Sequence, residues 1–133
     1  MAKARKVLII EVGDDSQELS DAISERLQNE NFEVAKLKNG KDGLDWALSH
    51  HPDIILLDIN MPIMSGSEML EKLREDNWGS SVPVIVLSNV SDSATIYNVI
   101  SQSGKTNTLN DYLVKSETSL KQIIDLIKLK TQE

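Results

Sequence analysis

An unbroken apolar run at residues 54–57 is the feature that most restricts the fold of this chain. Such a run, without polar alternation, is typical of a β-strand that is covered on both faces. Pro52 precedes the run, and Asp58 follows it, in a segment that also carries Pro62 and Gly66. The pattern predicts a buried strand that delivers one carboxylate to a loop at its carboxyl end.

Short apolar runs of this kind alternate along the chain with segments of helical periodicity. The predicted strands are residues 7–10, 32–35, 54–57, 82–87 and 112–114. Helices are predicted from apolar positions within residues 19–27, 44–48, 69–73, 94–100 and 120–127. Ser116 or Thr118 is expected to cap the last helix, whose apolar stripe is typical of a core face.

Five strands that alternate with five helices predict an α/β fold, in which an open parallel sheet is covered by helices on both faces. In such doubly wound sheets the functional cleft lies at the carboxyl ends of the strands. Five polar residues come just after predicted strands and are expected at that edge: Asp14, Asp15, Asp58, Ser88 and Lys115.

Length and charge limit the classes of protein that remain. With 133 residues, the chain is expected to form one domain over residues 1–133, with its core at about 5–130 and no output domain. A net charge of -7 disfavours direct binding to nucleic acid or to an anionic membrane. The chain has no cysteine, no signal-peptide pattern and no apolar stretch long enough to span a membrane, so we expect a cytoplasmic protein.

The residues expected at the sheet edge predict phosphoryl chemistry. Clustered carboxylates repel one another, and a divalent cation would relieve that repulsion. Oxygen ligands in a chain without cysteine favour Mg²⁺. Asp58 could then attack phosphorus as a nucleophile, while Lys115 and Mg²⁺ neutralise the phosphoryl oxygens and Ser88 donates a hydrogen bond.

On these residues the chain resembles the receiver domain of two-component response regulators over nearly its full length. The resemblance is carried by the pair Asp14-Asp15, the segment from Asp58 to Gly66, the hydroxyl residue Ser88, and the strand that ends at Lys115. It implies a flavodoxin-like (βα)5 fold with strand order 2-1-3-4-5. It also implies that Asp58 is the phosphoacceptor, with Lys115 and Ser88 beside it.

The same resemblance assigns the remaining roles. Asp15 and Asp58 would bind Mg²⁺ directly, Asp14 would act through a water molecule, and Asn60 would offer its backbone carbonyl. Ser88 and Tyr112 would form the switch pair, which reshapes the surface near the fourth and fifth strands on phosphorylation.

Several positions depart from the receiver pattern. The run Glu11-Val12-Gly13 lengthens the junction after the first strand, so Glu11 is a rival to Asp14 and Asp15 as the metal carboxylate. Asn89 stands where a small residue is usual. Ser116 replaces the usual proline after Lys115, so that peptide bond is not expected to be cis. The connection at residues 101–110 is long and polar.

The leading hypothesis is a stand-alone receiver that takes a phosphoryl group from a histidine kinase or phosphotransfer protein and signals to a separate effector protein. It would be a monomer or a weak phosphorylation-dependent dimer, and not an enzyme beyond its own phosphotransfer and dephosphorylation. The alternative is a pseudo-receiver that binds a partner unphosphorylated. A haloacid-dehalogenase-like phosphatase would need an aspartate where Asn60 stands, and Asp14-Asp15 disfavour a flavodoxin-like redox carrier.

Overall fold

Five parallel strands form one sheet in the order β2-β1-β3-β4-β5. The computed structural model describes residues 5–12, 17–59, 64–88, 110–114 and 118–131. The strands are β1 (Lys6–Val12), β2 (Glu33–Leu37), β3 (Ile54–Ile59), β4 (Val84–Ser88) and β5 (Asn110–Val114). All four neighbouring pairs are parallel, which confirms the predicted doubly wound sheet and its strand order.

Helices cover both faces of this sheet. They are α1 (Gln17–Asn29), α2 (Gly40–His50), α3 (Met64–Glu75) and α4 (Leu120–Lys130). The helix predicted at residues 94–100 lies outside the described residues. Within the described ranges, no helix combines the length and the apolar character that crossing a membrane requires.

Two separate hydrophobic clusters lie on the two faces of the sheet, because successive strand residues point to opposite sides. One cluster joins the sheet to α2 and α3, and its buried members are Leu8, Ile10, Ala47, Ile55, Leu57, Met69, Leu73, Val82, Val84 and Val86. The other joins the sheet to α1 and α4, with Val7, Ile9, Ile23, Leu27, Phe32, Ile54, Leu56, Ile85, Leu87, Ile123, Ile124 and Ile127 buried. The apolar run of β3 thus contributes to both clusters, as predicted.

The first two strands are longer than the sequence predicts. β1 does not stop at Ile10 but continues through Glu11 and Val12, which pair with Asp58 and Ile59 of β3. β2 continues to Leu37 and so includes Lys36. Glu11 therefore lies within β1 rather than after it, and it is buried.

Side-chain caps define where two of the helices begin. The Asn39 side chain accepts a hydrogen bond from the Asp42 backbone N–H at 2.8 Å, and this cap starts α2 at Gly40. α4 is capped by Ser119, so the prediction of Ser116 or Thr118 was wrong. Ser119 and Gln122 form a reciprocal capping box, which satisfies two backbone N–H groups and outweighs a single hydroxyl cap.

Candidate functional site

The carboxyl ends of the strands bring Glu11, Asp58 and Ser88 to one edge of the sheet. Asp58 is the next-to-last residue of β3, and Ser88 is the last residue of β4. Val114 is the last residue of β5, so Lys115 follows that strand directly. Because all five strands are parallel, these ends share the edge where doubly wound sheets carry their functional clefts.

The strand register specifies which residues are neighbours at this edge. Asp58 is paired with Glu11 of β1 on one side and with Leu87 of β4 on the other. One residue further along, Ile59 is paired with Ser88. The backbone therefore places Glu11, Asp58 and Ser88 on three adjacent strands within one ladder step of each other.

Several predicted site residues fall outside the described residues. These are Asp14, Asp15, Asn60, Asn89, Lys115 and Ser116, together with the connection at 101–109. For Asp58, Ser88 and Tyr112 the structure gives strand positions. Tyr112 of β5 is paired with Val86 of β4, and Ser88 is paired with Val114, so the two residues of the predicted switch pair lie on adjacent strands.

Glu11 is the one predicted metal carboxylate whose side-chain surroundings are described. It is only 3% exposed. Its Oε1 lies 3.5 Å from the Lys36 Nζ, and its Oε2 lies 4.0 Å from the Lys38 Nζ. Burying a carboxylate is costly without a counter-charge, so these two lysines explain how the strand tolerates it.

Lys36 links the buried carboxylate to the surface of α1. Its ammonium group also forms a hydrogen bond and ion pair with Asp21. Burial lowers the pKa of Lys36, but the hydrogen bond to Asp21 and the charges of Glu11 and Asp21 outweigh it and raise this pKa above 10.5. Lys36 is therefore a cation at neutral pH, held between two carboxylates.

The donor set at this position is compatible with a divalent cation. The Glu11 Oε1 atom is buried, and among the residues that the structure describes it has no close hydrogen-bond donor, since the Lys36 Nζ lies 3.5 Å away. Mg²⁺ is usually held in proteins by only one or two carboxylates and keeps several waters. Among the side chains that the structure describes, no cluster of three or more His, Asp and Glu residues forms a metal cage. Glu11 thus meets the chemical requirement for one ligand beside Asp58.

Lys36 is not among the site residues that the sequence predicts. The predicted second strand ended at residue 35, which left Lys36 in the following loop. A signal was nevertheless present, because Val34 and Lys36 are two residues apart and would lie on one face of a longer strand. Lys36 is paired with Ile9, two residues before Glu11 on β1, and its long side chain spans that offset.

The sheet and its helices define a doubly wound α/β domain, and comparison with known proteins identifies its family. The sequence pattern of the response regulator receiver domain matches residues 7–128. The chain therefore belongs to the family of response regulator receiver domains, which confirms the predicted resemblance.

A similar curated relative is the response regulator ArlR of Staphylococcus aureus, which is 36% identical over 110 residues. The match covers 83% of this chain and 45% of the relative, so this chain spans about half the length of the curated relatives it matches.

Solved structures support the fold. The chemotaxis response regulator CheY4 of Vibrio cholerae superposes with a TM-score of 0.74 at 24% identity, covering 96% of this chain and 99% of that one. The receiver domain of a sensor histidine kinase from Pseudomonas aeruginosa gives a TM-score of 0.77 at 20% identity. This match covers 97% of this chain and 98% of that one. That receiver has a magnesium ion coordinated in its active site cleft.

Proposed function

We propose that this chain is a phosphoacceptor in a two-component phosphorelay, and that Asp58 receives the phosphoryl group. Response regulators interact with histidine kinases or phosphotransfer proteins, and receiver domains are signalling modules rather than enzymes in the usual sense. The observation that carries the proposal is the register at the carboxyl edge. Asp58 lies between Glu11 of β1 and the end of β4, where Ser88 is the last strand residue.

The transfer is a nucleophilic substitution at phosphorus. A carboxylate oxygen of Asp58 forms a bond to phosphorus while the phosphorus–nitrogen bond of a donor phosphohistidine breaks, and the imidazole nitrogen keeps the electron pair. Lys115 holds its ammonium group beside the transferred oxygens, and Ser88 donates a hydrogen bond to one of them. When bound, Mg²⁺ supplies positive charge that neutralises the phosphoryl oxygens.

Five residues are proposed to hold the metal, directly or through water. Asp58 and Glu11 share a ladder position, which favours them as carboxylate ligands. Asp14, Asp15 and the backbone carbonyl of Asn60 complete the proposed set, in the roles that the family pattern gives them.

The output is proposed to be a changed surface at β4 and β5. The hydroxyl of Ser88 moves toward the new phosphoryl group, and Tyr112 on the adjacent strand follows it. A separate effector protein in the cytoplasm reads this surface, and the domain remains a monomer or forms a weak phosphorylation-dependent dimer. The added charge biases a two-state element, as other covalent switches do.

Incubation with acetyl phosphate and Mg²⁺ tests the proposal directly. Intact-mass measurement is expected to show the addition of one phosphoryl group, which Asp58→Asn abolishes. The matched control is Asp53→Asn, because Asp53 lies just before the same strand, at the opposite edge of the sheet. Its carboxylate accepts a hydrogen bond from the Lys6 backbone N–H at 2.8 Å, which an amide oxygen can also accept. Labelling that survives Asp58→Asn, or that never appears, would defeat the proposal.

A second candidate function is a pseudo-receiver that binds its partner unphosphorylated. The ion pairs of Glu11 with Lys36 and Lys38 favour it, because they already neutralise a carboxylate of the edge. This candidate predicts no labelling by acetyl phosphate, together with partner binding that is equal for the wild type and for Asp58→Asn.

A further inference from the structure

Lys36 stands between a buried and an exposed carboxylate at the edge of the sheet. The side chain of Glu11 is 4% exposed, that of Lys36 26%, and that of Asp21 55%. Glu11 belongs to β1, Lys36 to β2 and Asp21 to α1. The lysine therefore connects the ladder position beside Asp58 to the solvent-exposed side of the first helix.

We propose that Lys36 is an exchangeable counter-ion of Glu11, which neutralises this carboxylate until a divalent cation takes its place. On metal binding the Lys36 ammonium group leaves Glu11 and keeps Asp21 as its partner. Lys36 is thus a positioning residue that lowers the affinity of the site for the metal. This inference rests on one part of the proposed function, the assignment of Glu11 as a ligand of that metal.

The contact between Lys36 and Glu11 is loose enough to be exchanged. Its 3.5 Å lies beyond the 2.7–3.2 Å that is usual for hydrogen bonds from nitrogen to oxygen, and within the described ranges Oε1 has no closer donor. The buried Glu11 carboxylate is therefore neutralised by a nearby positive charge, but the hydrogen bonds that it would form in water are not fully replaced. A small divalent cation with its waters would satisfy it better.

The Asp21 carboxylate lowers the free-energy cost for Lys36 of leaving Glu11. The Lys36 ammonium group already donates a hydrogen bond to the Asp21 carboxylate. When the metal takes Glu11, the lysine therefore keeps a charged partner and solvent contact, and no buried cation is stranded. If Asp21 were replaced, Lys36 would no longer have the Asp21 carboxylate as a partner after it leaves Glu11.

Lys38 provides a matched control within the same strand region. Its Nζ is also close to Glu11, at 4.0 Å from Oε2, but its side chain is 72% exposed. Replacing either lysine removes one positive charge from the same carboxylate. Solvent screens the exposed charge of Lys38 more than that of Lys36. A larger change in metal affinity on replacing Lys36 would therefore come from its contact with the buried carboxylate and not from the change in net charge.

Direct titration of the 133-residue chain with Mn²⁺, followed by electron paramagnetic resonance, tests the exchange without any phosphoryl donor. Lys36→Met is expected to bind Mn²⁺ about tenfold more tightly than the wild type. Lys38→Met should change the affinity by less than about threefold, and Lys36→Arg should remain close to the wild type. Equal effects of Lys36→Met and Lys38→Met, or no Mn²⁺ binding by any variant, would overturn the proposal.

A double-mutant cycle with Asp21 gives a second readout. Asp21→Asn is expected to weaken Mn²⁺ binding in the wild-type background, because Lys36 then prefers Glu11. In the Lys36→Met background the same change should have a smaller effect, and this coupling would not arise from the charge of Asp21 alone. Additive effects would contradict exchange.

If Lys36→Met folds poorly, its melting temperature should rise with Mn²⁺ more than that of the wild type. An equal rise in the two proteins would contradict the exchange as well.

The two proposals fail in distinguishable ways. Mn²⁺ binding that depends on Lys36, without labelling of Asp58 by acetyl phosphate, would defeat the phosphoacceptor function and leave the exchange standing. Labelling of Asp58 with Mn²⁺ affinity that is indifferent to Lys36 would defeat the exchange alone.

Discussion

Glu11 of β1 and Asp58 of β3 are registered partners across two neighbouring parallel strands, and Glu11 has a lysine counter-ion while buried. Registered residues of neighbouring strands have Cα atoms about 5 Å apart, which brings the two positions within reach of a single cation. The residue of β1 that lies beside Asp58 is therefore Glu11, which belongs to the strand and not to the segment that follows it.

Replacement of Glu11 by glutamine should impair metal-dependent labelling of Asp58. We expect the labelling rate with acetyl phosphate at limiting Mg²⁺ to fall about tenfold or more, because the amide lacks the charge that binds the cation. Saturating Mg²⁺ should recover part of the loss. The rate is measured by intact mass as a function of Mg²⁺ concentration.

Three further variants show whether that loss of labelling rate is specific to Glu11. Glu25→Gln removes one charge from an exposed position of α1 and should leave the rate unchanged. Asp14→Asn and Asp15→Asn remove the carboxylates that the family pattern favours, and we expect each to reduce the rate less than Glu11→Gln does. A larger loss in Asp15→Asn would return the metal site to the pair Asp14-Asp15.

Sequence patterns predicted the fold well because burial on two faces leaves a strong signal. The run at residues 54–57 has no polar residue, and each of its side chains is fully buried, two in each cluster. Alternation of such strands with amphipathic helices allows few topologies, since parallel neighbours need right-handed crossovers. The strand order followed from this restriction together with the family resemblance.

Sequence patterns predicted the site less completely, because its local partners are set by tertiary contacts. The predicted first strand stopped at residue 10 and left Glu11 in the junction that follows, whereas the structure buries this carboxylate within the strand, which is costly. The cost is offset by Lys36 and Lys38, and that pairing depends on how β2 aligns with β1. The cap of α4 was misplaced for a similar reason, because Ser119 is favoured by its reciprocal contact with Gln122 rather than by its own propensity.

The contact between Gly43 and Ile10 should make an alanine at position 43 destabilising. A Cβ atom there would lie 2.5 Å from the Ile10 Cδ1 and 2.6 Å from its Cγ1. Overpacking costs about 1–3 kcal/mol, against about 1 kcal/mol gained in helix propensity, so Gly43→Ala should lower the free energy of unfolding by about 1 kcal/mol.

Ile10→Ala tests that interpretation, because it removes the atoms that would clash. Alone it should cost about 2–5 kcal/mol. Combined with Gly43→Ala it should cost less than the sum, with a coupling of at least about 0.5 kcal/mol in urea unfolding. Strict additivity would show that the two positions do not compete for space.

Arg74 should stabilise the turn between α3 and β4. Its Nη1 donates hydrogen bonds to the carbonyl oxygens of Gly79 at 2.7 Å and of Val82 at 2.6 Å. Burial lowers the pKa of Arg74 to about 10, so the group remains a cation at neutral pH. Arg74→Met should cost about 1–3 kcal/mol in urea unfolding. Arg74→Lys should recover part of this, and a loss in Arg74→Met below about 0.5 kcal/mol would refute the role.

The carboxyl group of Asp125 on α4 should titrate below its usual pKa of 3.8. The hydrogen bond from the Lys121 Nζ, 2.8 Å away and one turn earlier, and then the charge of Lys121, lower this pKa. Because the pKa is lowered in the folded chain, the pair stabilises the helix above about pH 3.8, and its contribution is lost as the pH falls through the folded value. Lys121→Met should raise the pKa of Asp125 toward 3.8 in a carboxyl-detected NMR titration. Lys72→Met on α3 should leave it unchanged, and an equal response to both variants would assign the shift to net charge instead of the hydrogen bond.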